Sequence, residues 1–347
     1  MSHFHPIKVK GIQRQTPEAV EVTLAIPDDL KKDFEHHAGQ YLSFEKELNG
    51  KKERRSYSIS SHNDDDKSVV IKAIKNGVFS NYVNSDLKED DTLEVHPPEG
   101  KFRLPEQLTS KNFIAFAAGS GITPIMSMIK HALKDSDDTK FVLVYGNKSP
   151  GSTIYLNDIL DLQKEYSDRF FVEFVYSQTK EEDAAFGRIE KPTINYVIKN
   201  KYKSIDFSDY LLCGPEEMIN QTKSILLDNK VDENKIHFEL FYSSEDAEPE
   251  EAHEGVTQIK VILDEEEFEF TMQKDERVLN AVLDQDIDAP YSCRGGICSS
   301  CVAKITEGEV EMVKNQILTD EDLDEKLVLT CQSLPKTGKI TIDYDDV

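Results

Sequence analysis

The sequence predicts a multi-domain chain, with an antiparallel β domain, then a doubly wound α/β domain, then a small α+β domain. Three observations point to this. The chain has 347 residues, enough for two or three domains. Its apolar pattern changes twice, from turn-separated strands to alternating strands and helices after residue 108, and to a mixed pattern after residue 255. A run dense in acidic residues, Ser243–Gly255, separates the last two regions. The expected divisions are 1–108, 109–242, an acidic linker at 243–255, and 256–347.

The composition is globular, with 38% hydrophobic and 31% charged residues. Net charge is −25, which argues against nucleic-acid binding, because neutralising phosphates requires a basic surface. It argues equally against anionic membrane surfaces. The first residues carry no apolar leader run, and the longest uncharged stretch, Phe113–Ile129, is too short and too interrupted to span a bilayer. No membrane insertion is expected, and a soluble cytoplasmic protein is. The acid excess gathers late, with 9 basic against 21 acidic residues between 257 and 347.

In the first region, His5–Ile12, Ala19–Ile26, Gln40–Glu45, Arg55–Ser60, Val69–Lys75 and Thr92–His96 are β-rich or alternating, with a helix over Phe79–Leu87. The second region alternates Asn112–Ala118, Pro124–Leu133, Lys140–Tyr145, Ile159–Tyr166, Phe170–Tyr176, Ile189–Lys199, Tyr210–Cys213 and Glu216–Leu227, as a parallel sheet with crossover helices requires. Its first strand runs into Gly119-Ser120-Gly121-Ile122-Thr123-Pro124. The glycines permit a tight turn, Thr123 suits an N-cap and Pro124 suits the first helical position. A helix opened this way attracts the pyrophosphate of a dinucleotide.

The third region carries Cys293-Arg-Gly-Gly-Ile-Cys298-Ser-Ser-Cys301, and Cys331 follows 29 residues later. This C-x4-C-x2-C…C spacing is the plant-type ligand set of a [2Fe–2S] cluster. Gly295 and Gly296 let the loop approach the inorganic sulfides. A structural zinc site and disulfides are the alternatives. Zinc ribbons usually pair two C-x2-C motifs, and disulfides suit an oxidising compartment that nothing here indicates. Around the cysteines, Val256–Leu263 and Glu267–Met272 read as a hairpin turning at 264–266, and Glu276–Gln285 as an amphipathic helix. Val302–Ile305 and Lys339–Tyr344 read as strands, and Thr319 opens a short acidic helix.

Residues 256–347 resemble the β-grasp of plant-type ferredoxins. Arg55-Ser56-Tyr57-Ser58 and Gly77-Val78-Phe79-Ser80 resemble the flavin motifs R-x-Y-[ST] and G-x-x-S of the ferredoxin–NADP reductase family. The G-x-G-x-x-P ending at Pro124, Tyr145-Gly146-Asn147, Cys213-Gly214-Pro215 and Glu239-Leu240-Phe241 are similar to further motifs of that family. The resemblance covers nearly the whole chain, in the order of an FAD-binding β-barrel, an NAD(P)-binding domain and a ferredoxin, as in reductases that serve oxygenases and desaturases.

The resemblance also implies roles. Arg55 would neutralise the FAD pyrophosphate, Tyr57 would lie against the isoalloxazine, and Ser58 would point at flavin N5. Ser56, Ile71, Lys72, Gly77, Phe79 and Ser80 complete the expected FAD site. Gly119, Gly121, Thr123, Pro124, Gly214 and Pro215 would cradle the nucleotide. Cys213 would lie beside nicotinamide C4 and the ring of Phe241 near the flavin face, although an inert core thiol and a core phenylalanine remain the plain alternatives. Ser177 and Arg188 are candidates to grip a 2′-phosphate, giving a slight lean to NADPH. The expected activity is an NAD(P)H oxidoreductase passing electrons through FAD and [2Fe–2S] to an oxygenase-type acceptor protein. A general ferredoxin or quinone reductase and a redox sensor are the alternatives. The acidic third domain would dock on a basic partner, or serve only as a solvated face.

Overall fold

The computed structural model describes residues 4–63, 66–241 and 255–347. The linker expected at 243–255 lies, save for Gly255, outside the described residues. Phe4–Phe241 forms one compact unit, and the residues after it form a second.

The first unit begins with β1 (His5–Thr16), β2 (Ala19–Ala25), β3 (Tyr41–Leu48), β4 (Lys51–Ser58), β5 (Lys67–Lys72), α1 (Val78–Ser85) and β6 (Thr92–Val95). These strands pair antiparallel in the order β4-β3-β6-β1-β2-β5. An antiparallel bridge from Ile59 to Val69 joins the run beyond β4 to β5, so the sheet closes on itself as a barrel. Alternate residues such as Val20, Val22 and Leu24 point inward, with Phe44 and Phe79 filling the centre. The strand expected from Arg55 in fact begins at Lys51. Lys51-Lys52-Glu53-Arg54 looks like a polar loop, yet Arg54 is buried and its guanidinium donates to the Glu45 carboxylate at 2.7 and 3.1 Å.

The chain continues as β7 (Asn112–Ala118), α2 (Ile122–Lys134), β8 (Lys140–Asn147), α3 (Leu156–Glu165), β9 (Phe170–Tyr176), β10 (Ala185–Phe186), α4 (Lys191–Tyr196), β11 (Asp209–Gly214), α5 (Glu216–Asp228) and β12 (Ile236–Leu240). The sheet is wholly parallel in the order β10-β9-β8-β7-β11-β12. Strand order therefore reverses at β7, which makes the crevice beyond the carboxyl ends of β7 and β11 the topological switch point.

The structure corrects two helix boundaries. A 3₁₀ turn over Gly119–Gly121 leads straight into α2, whose N-cap is Gly121 rather than Thr123. Pro124 then falls in the third helical position, and the Ser120 carbonyl that its missing N–H would address accepts from the Thr123 hydroxyl instead. The helix expected over Ile189–Lys199 is α4 followed by a π-helical turn, Val197–Lys201.

Barrel and parallel sheet are tied by buried polar contacts. Tyr155 is held at φ 60°, and its hydroxyl donates to Glu21 Oε1 at 2.8 Å and lies 2.7 Å from Ser60 Oγ. Burial, reinforced by Glu21, raises its pKa and keeps it a phenol. Tyr155→Phe is expected to cost about 2 kcal/mol and lower the thermal midpoint by about 4–8 °C, measured by flavin-domain unfolding, because a charged acceptor loses its donor.

The second unit contains β13 (Val256–Leu263), β14 (Glu266–Gln273), α6 (Val278–Leu283), β15 (Val302–Glu307), β16 (Val310–Met312), α7 (Asp320–Asp324), β17 (Leu327–Leu329), β18 (Ser333–Pro335) and β19 (Lys339–Asp343). A five-stranded mixed sheet in the order β14-β13-β19-β15-β17, with β13 and β19 parallel, packs against α6 as a β-grasp. The β13–β14 turn has two residues, not three. Asp264 and Glu265 both have positive φ, 53° and 64°, which is the handedness a tight hairpin needs. Neither is glycine, and the Asp345 carboxylate accepts both their backbone N–H groups at 2.9 and 2.8 Å. No helix among the described residues is long and apolar enough to cross a membrane.

Candidate redox site

At the switch point the two glycines act differently. Gly119 takes φ 55°, with no atom within 4 Å of where a Cβ would stand. Gly121 faces a wall, for a Cβ there would sit 2.2 Å from the Cys213 carbonyl oxygen. This glycine therefore lets α2 start directly against the end of β11. Tyr145, fully buried, donates its hydroxyl to the Gly119 carbonyl at 2.9 Å. Thr123 donates to the Ser120 carbonyl at 3.0 Å, bracing the same turn from inside. Gly214 takes φ 154° beside Ala118, and Pro215 opens α5.

Ser58, buried at the end of β4, donates to Glu239 Oε2 at 3.4 Å across 181 residues of chain. Glu239 lies opposite Cys213 in the β11–β12 register. Burial, and after it the Glu239 carboxylate, pushes the Cys213 thiol well up, so it is a neutral thiol at physiological pH. Ser58, Glu239 and Cys213 thus meet where barrel and parallel sheet face each other. Glu239 was legible only as part of a closing motif, because nothing in its sequence surroundings shows what it faces. Phe241 follows with its ring partly exposed.

Along β4, Arg55 is half exposed, 2.9 Å from Glu53, and donates to the Arg54 carbonyl at 2.7 Å. The Ser56 hydroxyl lies 2.7 Å from that of Ser43. Tyr57 stacks on Phe79 at 5.9 Å, and burial raises its phenol pKa. Gly77 caps α1 without any side-chain hydrogen bond, leaving the first amides open beside Ser80. A Cβ at Gly77 would stand 2.4 Å from Ser80 Oγ and 2.5 Å from Ile74 Cγ1, so a side chain there would displace Ser80 from its place at the helix start. An uncapped helix start with a planar cation nearby fits a dinucleotide pyrophosphate. Ile71 and Phe79 turn their side chains into the barrel core, leaving only backbone for a cofactor, and Lys72 pairs with Glu18 at 3.5 Å. Ser177, at the end of β9, lies close to its own sheet, donating to the Asn147 carbonyl. Arg188 is exposed, 4.0 Å from Glu217, and Lys180 lies over the Phe186 ring.

In the second unit the four cysteines converge as the spacing predicts. Cys293 and Cys298 sulfurs lie 3.1 Å apart, and Cys331 interacts with both Cys293 and Cys301. All five cysteines of the chain are free thiols. Backbone N–H groups aim at the sulfurs, that of Gly295 reaching Cys293 at 3.3 Å. Gly296 takes φ 72°, and a Cβ there would lie 2.6 Å from the Lys314 carbonyl oxygen. The Thr330 N–H and hydroxyl both donate to the Cys301 carbonyl, at 3.1 and 3.0 Å, fixing Cys301 and Cys331 relative to each other. Crowding with the Cys293 sulfur, with burial adding to it, pushes the Cys298 thiol well up. Such a set of sulfurs suits a cationic iron centre that neutralises them, with amides directed at the ligands.

Comparison with known proteins agrees module by module. Residues 8–104 match the oxidoreductase FAD-binding domain, 116–224 the oxidoreductase NAD-binding domain, and 261–336 the 2Fe-2S iron-sulfur cluster binding domain. The chain is 31% identical over 351 residues to a 1,2-phenylacetyl-CoA epoxidase component from Escherichia coli K12, covering 99% of each. It is 29% identical to the ferredoxin reductase component of 3-ketosteroid-9-alpha-monooxygenase from Rhodococcus rhodochrous, covering 97% of this chain and 96% of that one. The structure of phthalate dioxygenase reductase superposes with a TM-score of 0.64 at 20% identity, over 98% of each chain, and so shares the fold. With three cofactor modules in the same order and a relative matched end to end, the chain belongs to the ferredoxin–NADP reductase family of FAD-dependent oxidoreductases, in the group whose C-terminal domain is a plant-type [2Fe–2S] ferredoxin.

Proposed function

We propose that this chain is the reductase component of an oxygenase or epoxidase system, drawing electrons from NAD(P)H and delivering them to a separate acceptor protein. The observation that carries this is the meeting of Ser58, Glu239 and Cys213 at the switch-point crevice, in a chain that also builds a four-thiol cage. Bound FAD would accept a hydride from the nicotinamide and release electrons singly to the [2Fe–2S] centre, a conversion neither partner performs alone. The working divisions are 1–108, 109–242, 243–255 and 256–347, and the free thiols suit a cytoplasmic setting.

The chain's own residues position the reactants. Arg55 supplies positive charge to the pyrophosphate, shared with Glu53, and Gly77, Ser80 and the open α1 amides receive the rest. Tyr57, seated on Phe79, offers a flat face to the flavin, with backbone contacts at Ser56, Ile71 and Lys72. Gly119, Gly121, Thr123, Pro124, Gly214 and Pro215 shape the nucleotide cradle. Ser58 holds a hydroxyl at the flavin edge, oriented by Glu239, while Cys213, kept neutral, packs against the nicotinamide without acting as base or nucleophile. Phe241, partly exposed, would lie near the flavin face. Cys293, Cys298, Cys301 and Cys331 ligate the cluster.

Anaerobic titration of the reconstituted protein tests the path. NADPH or NADH should bleach both the flavin band and the cluster's visible absorption, and a flavin that bleaches beside an oxidised cluster overturns internal transfer. For nucleotide preference we favour NADPH, held by Arg188 and Ser177. Arg188→Ala is expected to raise KM for NADPH about tenfold and leave KM for NADH unchanged, since one charge-assisted contact to the 2′-phosphate is lost. Equal shifts for both nucleotides would remove Arg188 from that role.

The acceptor surface is the acidic face around α7, which displays Asp320, Glu321 and Asp324 beside a partly exposed Leu323. Asp322 is unsuitable as a probe because its carboxylate accepts from the Thr319 N–H and hydroxyl at 2.8 and 2.9 Å, closing the capping box. Glu321→Lys with Asp324→Lys should slow acceptor reduction about tenfold at low salt, with less effect at high salt and none on ferricyanide reduction. Salt-independent rates identical to wild type would leave the face as mere solvated surface.

A further inference from the structure

Away from the redox crevice, the barrel and the parallel sheet share a cluster of imidazoles that the electron path does not use. His62 follows the barrel strand β4, and His131 lies in the last turn of α2, whose C-cap is Asp135. One ligand atom each from His62, His131 and Asp135 lies within 4.8 Å of the other two. Both imidazoles are buried, whereas the Asp135 side chain is 45% exposed and gives solvent a route in.

Three features make this more than a chance grouping. The His131 Nδ1–H donates to the Ser127 carbonyl at 2.8 Å, which leaves the Nε2 lone pair facing the cluster. That backbone bond is the kind of outer contact that orients a metal-ligating histidine. The Asp135 carboxylate stands at the C-terminal end of α2, where the helix dipole favours a bound cation. His36 is the third feature. Its ring is edge-on to His131 at 5.5 Å between centroids and it is 5% exposed, with the Ser61 backbone and the Asn63 side chain beside it but neither in hydrogen-bond geometry with a ring nitrogen. A buried imidazole in that state is an unsatisfied donor and acceptor.

We propose that His62, His131 and Asp135 form a binding site for a borderline divalent ion such as Zn²⁺, with solvent entering beside Asp135 to complete the shell, and that the ion joins the flavin-binding and nucleotide-binding domains. Two imidazoles and a carboxylate are a ligand set that zinc accepts readily. Metal-free, the same groups hold one another. His62 Nε2 lies 2.9 Å from Asp135 Oδ1, its ring stacks on His131 at 4.2 Å, and the Asn63 N–H reaches His131 Nε2 at 3.2 Å. Uptake takes the place of the His62–Asp135 hydrogen bond and of the Asn63 N–H at His131 Nε2, and releases the proton that lay between His62 and Asp135. Lys67 is the opposing charge nearby, and its ammonium is already engaged by the Asn63 carbonyl and side-chain oxygens at 2.7 and 3.1 Å.

The test uses the full chain loaded with FAD and its iron–sulfur cluster, stripped of adventitious metal under conditions that preserve iron, then equilibrated with ZnCl₂ alone. Elemental analysis of one sample counts zinc and iron together, so occupied cysteines are excluded as the zinc site. The expected result is about one zinc per chain with iron unchanged, and an affinity about tenfold or more weaker in Asp135→Asn and His131→Gln. Zinc near saturation should also raise the flavin-domain thermal midpoint by about 5 °C or more in wild type and not in Asp135→Asn. Asp135 is half exposed, so its variant folds and keeps the comparison decisive if His131→Gln does not. Wild type that takes up no zinc while retaining iron, or an Asp135→Asn variant that binds as wild type does, overturns the site.

Discussion

Cys331→Ser is expected to strip the cluster and reduce NAD(P)H-dependent cytochrome c reduction by at least about 100-fold, since even losing an outer partner of a metal ligand costs 10–100-fold. Serine replaces a thiol with a hydroxyl that does not ionise near neutral pH, and no other cysteine follows Cys301 in the sequence. Cys213, the only other thiol, is buried in the first compact unit beside Glu239. Ferricyanide takes electrons directly from flavin, so its reduction should stay within about twofold of wild type, because the barrel and nucleotide domain form a unit of their own. Iron content and both assays on one preparation check this. Undiminished cytochrome c reduction without iron would mean that electrons leave from the flavin itself.

Gly121→Ala should be the most damaging single methyl in the nucleotide domain. The added carbon would stand 2.2 Å from the Cys213 carbonyl oxygen, 2.5 Å from its carbon and 2.8 Å from the Gly214 nitrogen. All three are backbone atoms, so no rotamer change relieves the overlap and α2 must move away from β11. Overpacking of this kind costs about 1–3 kcal/mol, and a displacement near 1 Å at a reacting centre slows the reaction about 100-fold. Stopped-flow reduction of flavin by NAD(P)H reads the second effect, while dithionite reduction should be unaffected. Gly119→Ala is the control. Its Cβ would meet nothing within 4 Å, leaving only the left-handed backbone penalty of about 1–2 kcal/mol. Equal losses from both variants would show that the overlap at Gly121 is not what matters.

Most of the strands and helices were legible because alternation and helical periodicity report which residues face a core. The misreadings have specific causes. Polarity hid the start of β4, since Arg54 is buried with its guanidinium bound by Glu45 on the neighbouring strand and laid over the Phe4 ring. The N-cap of α2 was misplaced because Thr123 has the right chemistry for a cap, while the actual start is set by how closely Gly121 packs on Cys213. The hairpin turn is one residue shorter than its polar run suggests because Asp264-Glu265 turns without the usual glycine, and Asp345 supplies the missing support from 80 residues away.

By itself the sequence determined the cysteine spacing of the iron–sulfur domain, the glycine turn that opens α2 and the order of the three modules. Those features are local, for a cluster needs particular thiols at particular spacings and a phosphate turn needs glycine where a side chain would intrude. Tertiary structure alone decided which distant groups meet. Ser58 reaches Glu239 and Tyr145 steadies Gly119 at strand ends, and His62 beyond β4 comes to His131 and Asp135 at the C-terminal end of α2, because barrel and parallel sheet pack on each other. Periodicity in a sequence says which face of an element is buried. What that face touches follows from strand order and register, which long-range packing sets.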